Sequence, residues 1–163
     1  MRQKKFILQE QDIPTQWYNI QADMPNKPML PLNPQTHKPL SADDLSHIFN
    51  KECSKQELDT EHAWIDIPED VQEKYAFYRS TPLVRAYGLE EALGTTAHIY
   101  FKNESATPLG SHKINSAIPQ CYYCKQEGGT NVTTETGAGQ WGCALSYAAE
   151  LYGLEAAVYQ GKI

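Results

Sequence analysis

The segment LGSHKINSAIPQ, residues 109–120, carries a lysine where a helix is expected to begin. Ser111 is a good N-cap, which puts Lys113 near the second helical position. Helix N-termini favour anions, so an ammonium is disfavoured there and the neutral, nucleophilic amine is favoured. Such an amine attacks an aldehyde to form a Schiff base. An isolated lysine is more simply a surface residue with its stem laid over apolar neighbours.

A second constellation follows in Glu135-Thr136-Gly137-Ala138-Gly139-Gln140-Trp141-Gly142. Consecutive small residues between a strand and a helix expose backbone N–H groups, which suits a phosphate or a carboxylate. Glu135 closes the strand at its carboxyl end, where open α/β sheets bind ligands. It is either a proton carrier or a carboxylate serving the helix dipole. Gly137, Gly139 and Gly142 also spell G-x-G-x-x-G. A dinucleotide site further needs an acidic residue at the end of the next strand, but Glu155 begins that strand and Tyr159-Gln160 end it.

These residues need elements to position them. HIYFKNE alternates as a strand, the stretch from about 112 to 126 reads as a helix with Ile114, Ala117, Ile118 and Cys121 inward, and NVTTE is a strand. Pro119 predicts a kink in that helix. QWGCALSYAAELYG is a helix closed by Gly153, and EAAVYQ is the next strand. Strand, helix, strand, helix, strand predicts parallel pairing with right-handed crossovers, a fold of the α/β class in which a partial parallel sheet is flanked by helices. Upstream, RSTPLVRA is extended and GLEEALG is a short helix ended by Gly94. Helices are expected from Ser41, with Leu45, Ile48 and Phe49 on one side, and near Pro68, with Val71, Tyr75 and Tyr78 on one face. The proline-rich first forty residues form an extended arm that Trp17 and Tyr18 pin to its neighbour. The chain divides into an arm with short helices, 1–78, and an α/β region, 79–163.

Composition narrows the function. A net charge of −6 with scattered basic residues argues against a nucleic-acid surface. Apolar runs are too short for a membrane span, and Phe6 to Leu8 is too short for a signal peptide, so the chain reads as cytoplasmic. Cys121 and Cys124 form a lone C-x-x-C inside a helical pattern, with no partner ligands at metal-site spacing, and read as packing residues rather than a metal site or redox pair.

GSHKIN followed by TETGAGQWG resembles tryptophan synthase β chains, pyridoxal-phosphate enzymes of fold type II. IPTQWYNIQAD, STPLVRAYGLEEALGT and IYFKNE are similar to the divergent, stand-alone class, in which tryptophan at Trp141 is typical. The resemblance implies the N-terminal part of that fold. It implies that Lys113 links to pyridoxal phosphate, with His112, Asn115 and Gln140 beside the cofactor. Glu135 would carry protons, and Thr136, Gly137, Ala138, Gly139 and Gln140 would hold the substrate carboxylate. The implied reaction replaces the hydroxyl of serine with indole to give tryptophan. The implied partners are these small molecules and a second copy in a homodimer, or a complementary C-terminal chain.

The family's serine- and glycine-rich phosphate loop has no counterpart here, since Gly128-Gly129-Thr130 is too short and precedes a strand. The chain is therefore expected to be inactive alone. The alternative function is that of a non-catalytic fragment that binds a complementary chain.

Overall fold

The computed structural model describes residues 2–161. Along it run β1 (Lys5–Phe6), β2 (Gln16–Tyr18), α1 (Ala42–Leu45), α2 (Lys51–Leu58), β3 (Trp64–Asp66), α3 (Glu69–Ala76), β4 (Leu83–Arg85), α4 (Tyr87–Ala92), β5 (Tyr100–Lys102), α5 (Ile114–Gln126), β6 (Asn131–Thr136), α6 (Gln140–Leu151) and β7 (Glu155–Gln160). Among the described residues no helix is long and apolar enough to cross a membrane.

Small side chains make the centre. Helix α5 turns Ile114, Ala117, Ile118 and Cys121 inward, as their spacing predicts, and α6 meets them with Ala144, Leu145, Ala148 and Ala149. Alanines at the contact let the helices approach, and each buried large side chain contributes about 1.5–3 kcal/mol. Helix α3 adds Val71 and Tyr75, both fully buried, and Ile67 completes that side. Strands β6 and β7 pair in parallel from Asn131 opposite Glu155 to Thr136 opposite Gln160, with α6 as the crossover. Gly142 permits the close approach of α6 to these strands: a Cβ there would lie 2.6 Å from Val158 Cγ1 and 3.0 Å from Thr136 Cγ2.

Pro119 does not interrupt α5. Proline has no N–H, so the Asn115 carbonyl four residues earlier loses its helical partner. The Tyr75 hydroxyl donates to that carbonyl instead. A side chain of α3 thus repairs the defect that the sequence places in α5.

Three expectations change. The HIYFKNE strand does not join the parallel pair: β5 lies antiparallel to β4, which also pairs with β1. The cause is local. Glu90 receives Arg85 Nε at 2.9 Å and Nη2 at 3.1 Å, and the same carboxylate accepts the Ile99 N–H at 2.8 Å, tying the approach to β5 to the end of β4. Ile48 and Phe49 are exposed, and only Leu45 of that helix is buried. Lys113 stands immediately before α5 rather than at its second position, because the chain first makes a tight turn from His112 carbonyl to Asn115 N–H (3.0 Å).

The arm is ordered by pairing. Strand β2 runs antiparallel to β3, Tyr18 packs on Trp64 with ring centroids 5.0 Å apart, and Trp17 lies against the core, so both aromatics anchor it as expected. The Lys27 ammonium donates to the carbonyls of Gln21, Ala22 and Thr60 at 3.2, 2.8 and 2.8 Å, a second clasp. Helix α2 lacks an apolar stripe and is held from outside. Asn50 accepts the Cys53 N–H, while Glu127 accepts those of Lys51 and Glu52.

All four cysteines are free. Burial pushes the Cys121 thiol up to about 12, and it also raises the Cys124 thiol, the reverse of the lowered values a redox pair requires. Burial likewise pushes the Cys53 thiol up to about 11 and the Tyr75 phenol up to about 12. Folding therefore holds these groups protonated, whereas the unfolded chain releases thiol protons near 9.0 and phenol protons near 10.0. Their stabilisation is complete below pH 9 and is lost as the pH climbs towards 12. Denaturant midpoints measured from pH 7 to 11 should hold level to pH 9 and then fall; a level profile to pH 11 would contradict this reading.

Candidate active site

Two segments distant in sequence meet at one cavity. Lys113 enters from the turn before α5, and Glu135 to Ala138 with Gln140 enter from the end of β6 and the start of α6, while Gly139 lies outside the lining. The α5–α6 contact brings them together by holding the two helix starts side by side. The cavity has a volume of about 330 Å³ and is lined by Lys113, Glu135, Thr136, Gly137, Ala138, Gln140 and Trp141.

The Lys113 turn is held from below. The Thr107 hydroxyl donates to the Ser111 carbonyl at 2.9 Å and accepts the Ser111 N–H at 3.0 Å, with both residues buried. Ser111 Oγ in turn accepts the Lys113 N–H at 3.4 Å, so the serine caps the turn weakly. The half-buried Lys113 donates from Nζ to Gln140 Oε1 at 3.1 Å. Its partner is a neutral amide, and Lys113 joins none of the ion pairs among the described residues.

Opposite it, Gly139 has φ of 91°, the left-handed conformation open to glycine, and helix α6 begins at the next residue. No side chain caps α6. Its first-turn N–H groups are therefore left for an anion. Glu135 is exposed at the rim and makes no side-chain capping bond to the start of α6.

Two other predicted residues stand elsewhere. His112 is exposed and does not line the cavity. Asn115 points to the opposite side of α5, where its Nδ2 donates to Glu104 Oε2 at 3.0 Å and its Oδ1 accepts the Tyr78 hydroxyl at 2.7 Å.

Sequence reasoning missed Gln160 and Thr107. Gln160 ends β7, where a dinucleotide site would need its carboxylate, and its amide instead donates to the Gly137 carbonyl at 3.0 Å. It braces the glycine turn, and the parallel register that brings it there is the signal that could have found it. Thr107 stands four residues before Ser111, a spacing typical of local hydroxyl–backbone bonds.

Comparison with known proteins agrees with the geometry. Residues 75–163 match the pyridoxal-phosphate dependent enzyme family. The tryptophan synthase beta chain 2 of Thermotoga maritima is 51% identical over 96% of this chain and 37% of its own length. The tryptophan synthase beta chain of Thermococcus gammatolerans is 51% identical over 97% of this chain and 36% of its own. That of Pyrococcus horikoshii is 51% identical over 97% of this chain and 34% of its own. The chain thus spans little more than a third of the length of these curated relatives. With the lysine turn and the glycine turn both inside the matched segment, the chain belongs to the pyridoxal-phosphate dependent enzyme family.

Proposed function

We propose that this chain supplies the lysine and carboxylate side of a tryptophan synthase β-type site, which replaces the hydroxyl of serine with indole to give tryptophan. The observation that carries the proposal is the convergence of Lys113 with Glu135 to Ala138 and Gln140 on one cavity. The donor set suits pyridoxal phosphate, with an amine for its aldehyde and uncapped N–H groups for the carboxylate of an amino acid. When bound, that cofactor supplies an electron sink.

The chain's own residues do the rest. Lys113 would hold the cofactor through its amine, which Gln140 orients. The N–H groups of Thr136 to Gln140 hold the serine carboxylate. Glu135 gives a proton to the departing serine hydroxyl oxygen and takes one from the acceptor. His112 stands beside Lys113 outside this cavity, facing solvent, while Asn115 supports the turn from behind. Residues 79–163 form the first part of the cofactor-binding region, and residues 1–78 serve as arm and support. The setting is cytoplasmic.

The exposed strand β7, all six residues of it open to solvent, favours a second reading in which the chain acts by joining a complementary chain. The test is tryptophan formation from serine and indole with pyridoxal phosphate present, by this chain alone and by this chain mixed with a complementary chain. Turnover by the chain alone supports the first reading. Turnover that arises only on mixing the 163 residues with a complementary chain supports the second, and no tryptophan under any condition overturns both.

A further inference from the structure

Trp141 lines the Lys113 cavity and also a second cavity of about 610 Å³, bordered by Ile48, Phe49, Val132, Thr134 and Leu145. It is the residue that the two linings share, so it stands between them. An indole N–H is a donor only, and a half-buried one needs an acceptor to settle in one orientation. That acceptor is Thr134 Oγ1, at 2.8 Å from Trp141 Nε1. The same hydroxyl donates to the Glu135 carbonyl at 3.1 Å, which spends its proton and leaves a lone pair facing the tryptophan. One threonine thus couples the backbone of the carboxylate residue to the wall of the cavity.

We propose that Thr134 is a positioning residue: it fixes Trp141 as the wall between the two cavities and so sets the size of the acceptor that the Lys113 cavity admits. This rests on the β-replacement reading for the acceptor's identity, but not for the position of the ring. Without the hydroxyl, the indole is free to turn towards the larger cavity, and the two spaces merge.

The test uses the intact protein with Thr134→Val, which keeps the shape and removes the acceptor, and Thr134→Ser, which keeps both. The first readout needs no turnover. Acrylamide quenching of Trp141, taken as the difference from a matched Trp141→Phe background, should rise about two-fold in Thr134→Val and stay unchanged in Thr134→Ser. The second is kcat/KM for ring-methylated indoles relative to indole. A pocket wall discriminates one methyl by roughly ten-fold or more, so the ratio should rise by about ten-fold in Thr134→Val, mainly through KM, and hold in Thr134→Ser. Unchanged quenching in Thr134→Val overturns the proposal. Altered quenching with an unchanged ratio overturns its specificity claim. A wild-type protein silent with serine and indole overturns the reaction proposed above, and the quenching comparison then decides the role of Thr134.

Discussion

Replacing Lys113 with methionine is expected to abolish the covalent capture of pyridoxal phosphate. Incubation with the cofactor followed by borohydride should fix it to the wild-type protein at one dominant position, and peptide mapping should find it on Lys113. The reason is local. Of the lysines among the described residues, this one borders the cavity lined by Glu135 and the glycine turn, and its amine is held by a neutral amide. In Lys113→Met the mapped signal should fall to the scattered background of surface lysines, and turnover should fall by at least about 10³-fold, since a positioned nucleophile is worth several orders of magnitude over one from solution. Undiminished capture at the same peptide would sink the assignment. Glu135→Gln should behave in the opposite way, keeping the adduct and losing roughly 10²–10⁴-fold in turnover, as expected for loss of a proton carrier. A dipole-serving carboxylate would instead lose about 0.3–1 kcal/mol of stability with turnover intact. The pair of variants thus separates binding from proton transfer.

The parts of this arrangement legible in sequence are those built from long periodic segments. Helices α5 and α6 show their inward faces in the spacing of Ile114, Ala117, Ile118, Ala144 and Ala148, and strands β6 and β7 follow from their flanking turns. Strand β6 and helix α6 are joined by the glycine turn, so the approach of Glu135 to the start of α6 follows from chain connectivity alone. The approach of Lys113 does not. It depends on which faces of α5 and α6 meet, and the resemblance to known enzymes, rather than spacing, supplied that expectation. Strands of two or three residues, such as β1, β2 and β3, are too short to carry an alternation signal. Pro119 is the sharpest case. Sequence rules predict a kink there; the helix runs through the proline, and a tyrosine on α3 offers its hydroxyl to the orphaned carbonyl. The resemblance places Asn115 beside the cofactor, yet two residues along a helix turn a side chain to nearly the opposite side from Lys113.

That opposite side is where Asn115→Leu should have its effect. The Asn115 amide links three elements. It accepts from the Tyr78 hydroxyl after α3, and it donates to Glu104, whose other oxygen accepts the Thr81 hydroxyl at 2.6 Å. Leucine leaves the half-buried Tyr78 hydroxyl and one Glu104 oxygen without partners. Each orphaned polar group costs about 1–3 kcal/mol, so a loss of about 3 kcal/mol is expected, which for a chain of this length lowers Tm by roughly 6–12 °C. A fall of less than about 2 °C would mean that water replaces the lost bonds. Asn115→Asp distinguishes a network from a mere packing site. Aspartate still accepts from Tyr78 but faces the Glu104 carboxylate, and two carboxylates at hydrogen-bond distance cannot both ionise at low cost. The shared proton raises the folded-state value of the pair above its unfolded value. The penalty is therefore full at neutral pH and is relieved as the pH falls below the raised value, whereas the Asn115→Leu penalty stays level. Adding Glu104→Gln to Asn115→Asp reverses the donor and acceptor across the same bond and should restore most of the lost stability. A double-mutant cycle with no coupling would show that Asn115 acts through its volume alone.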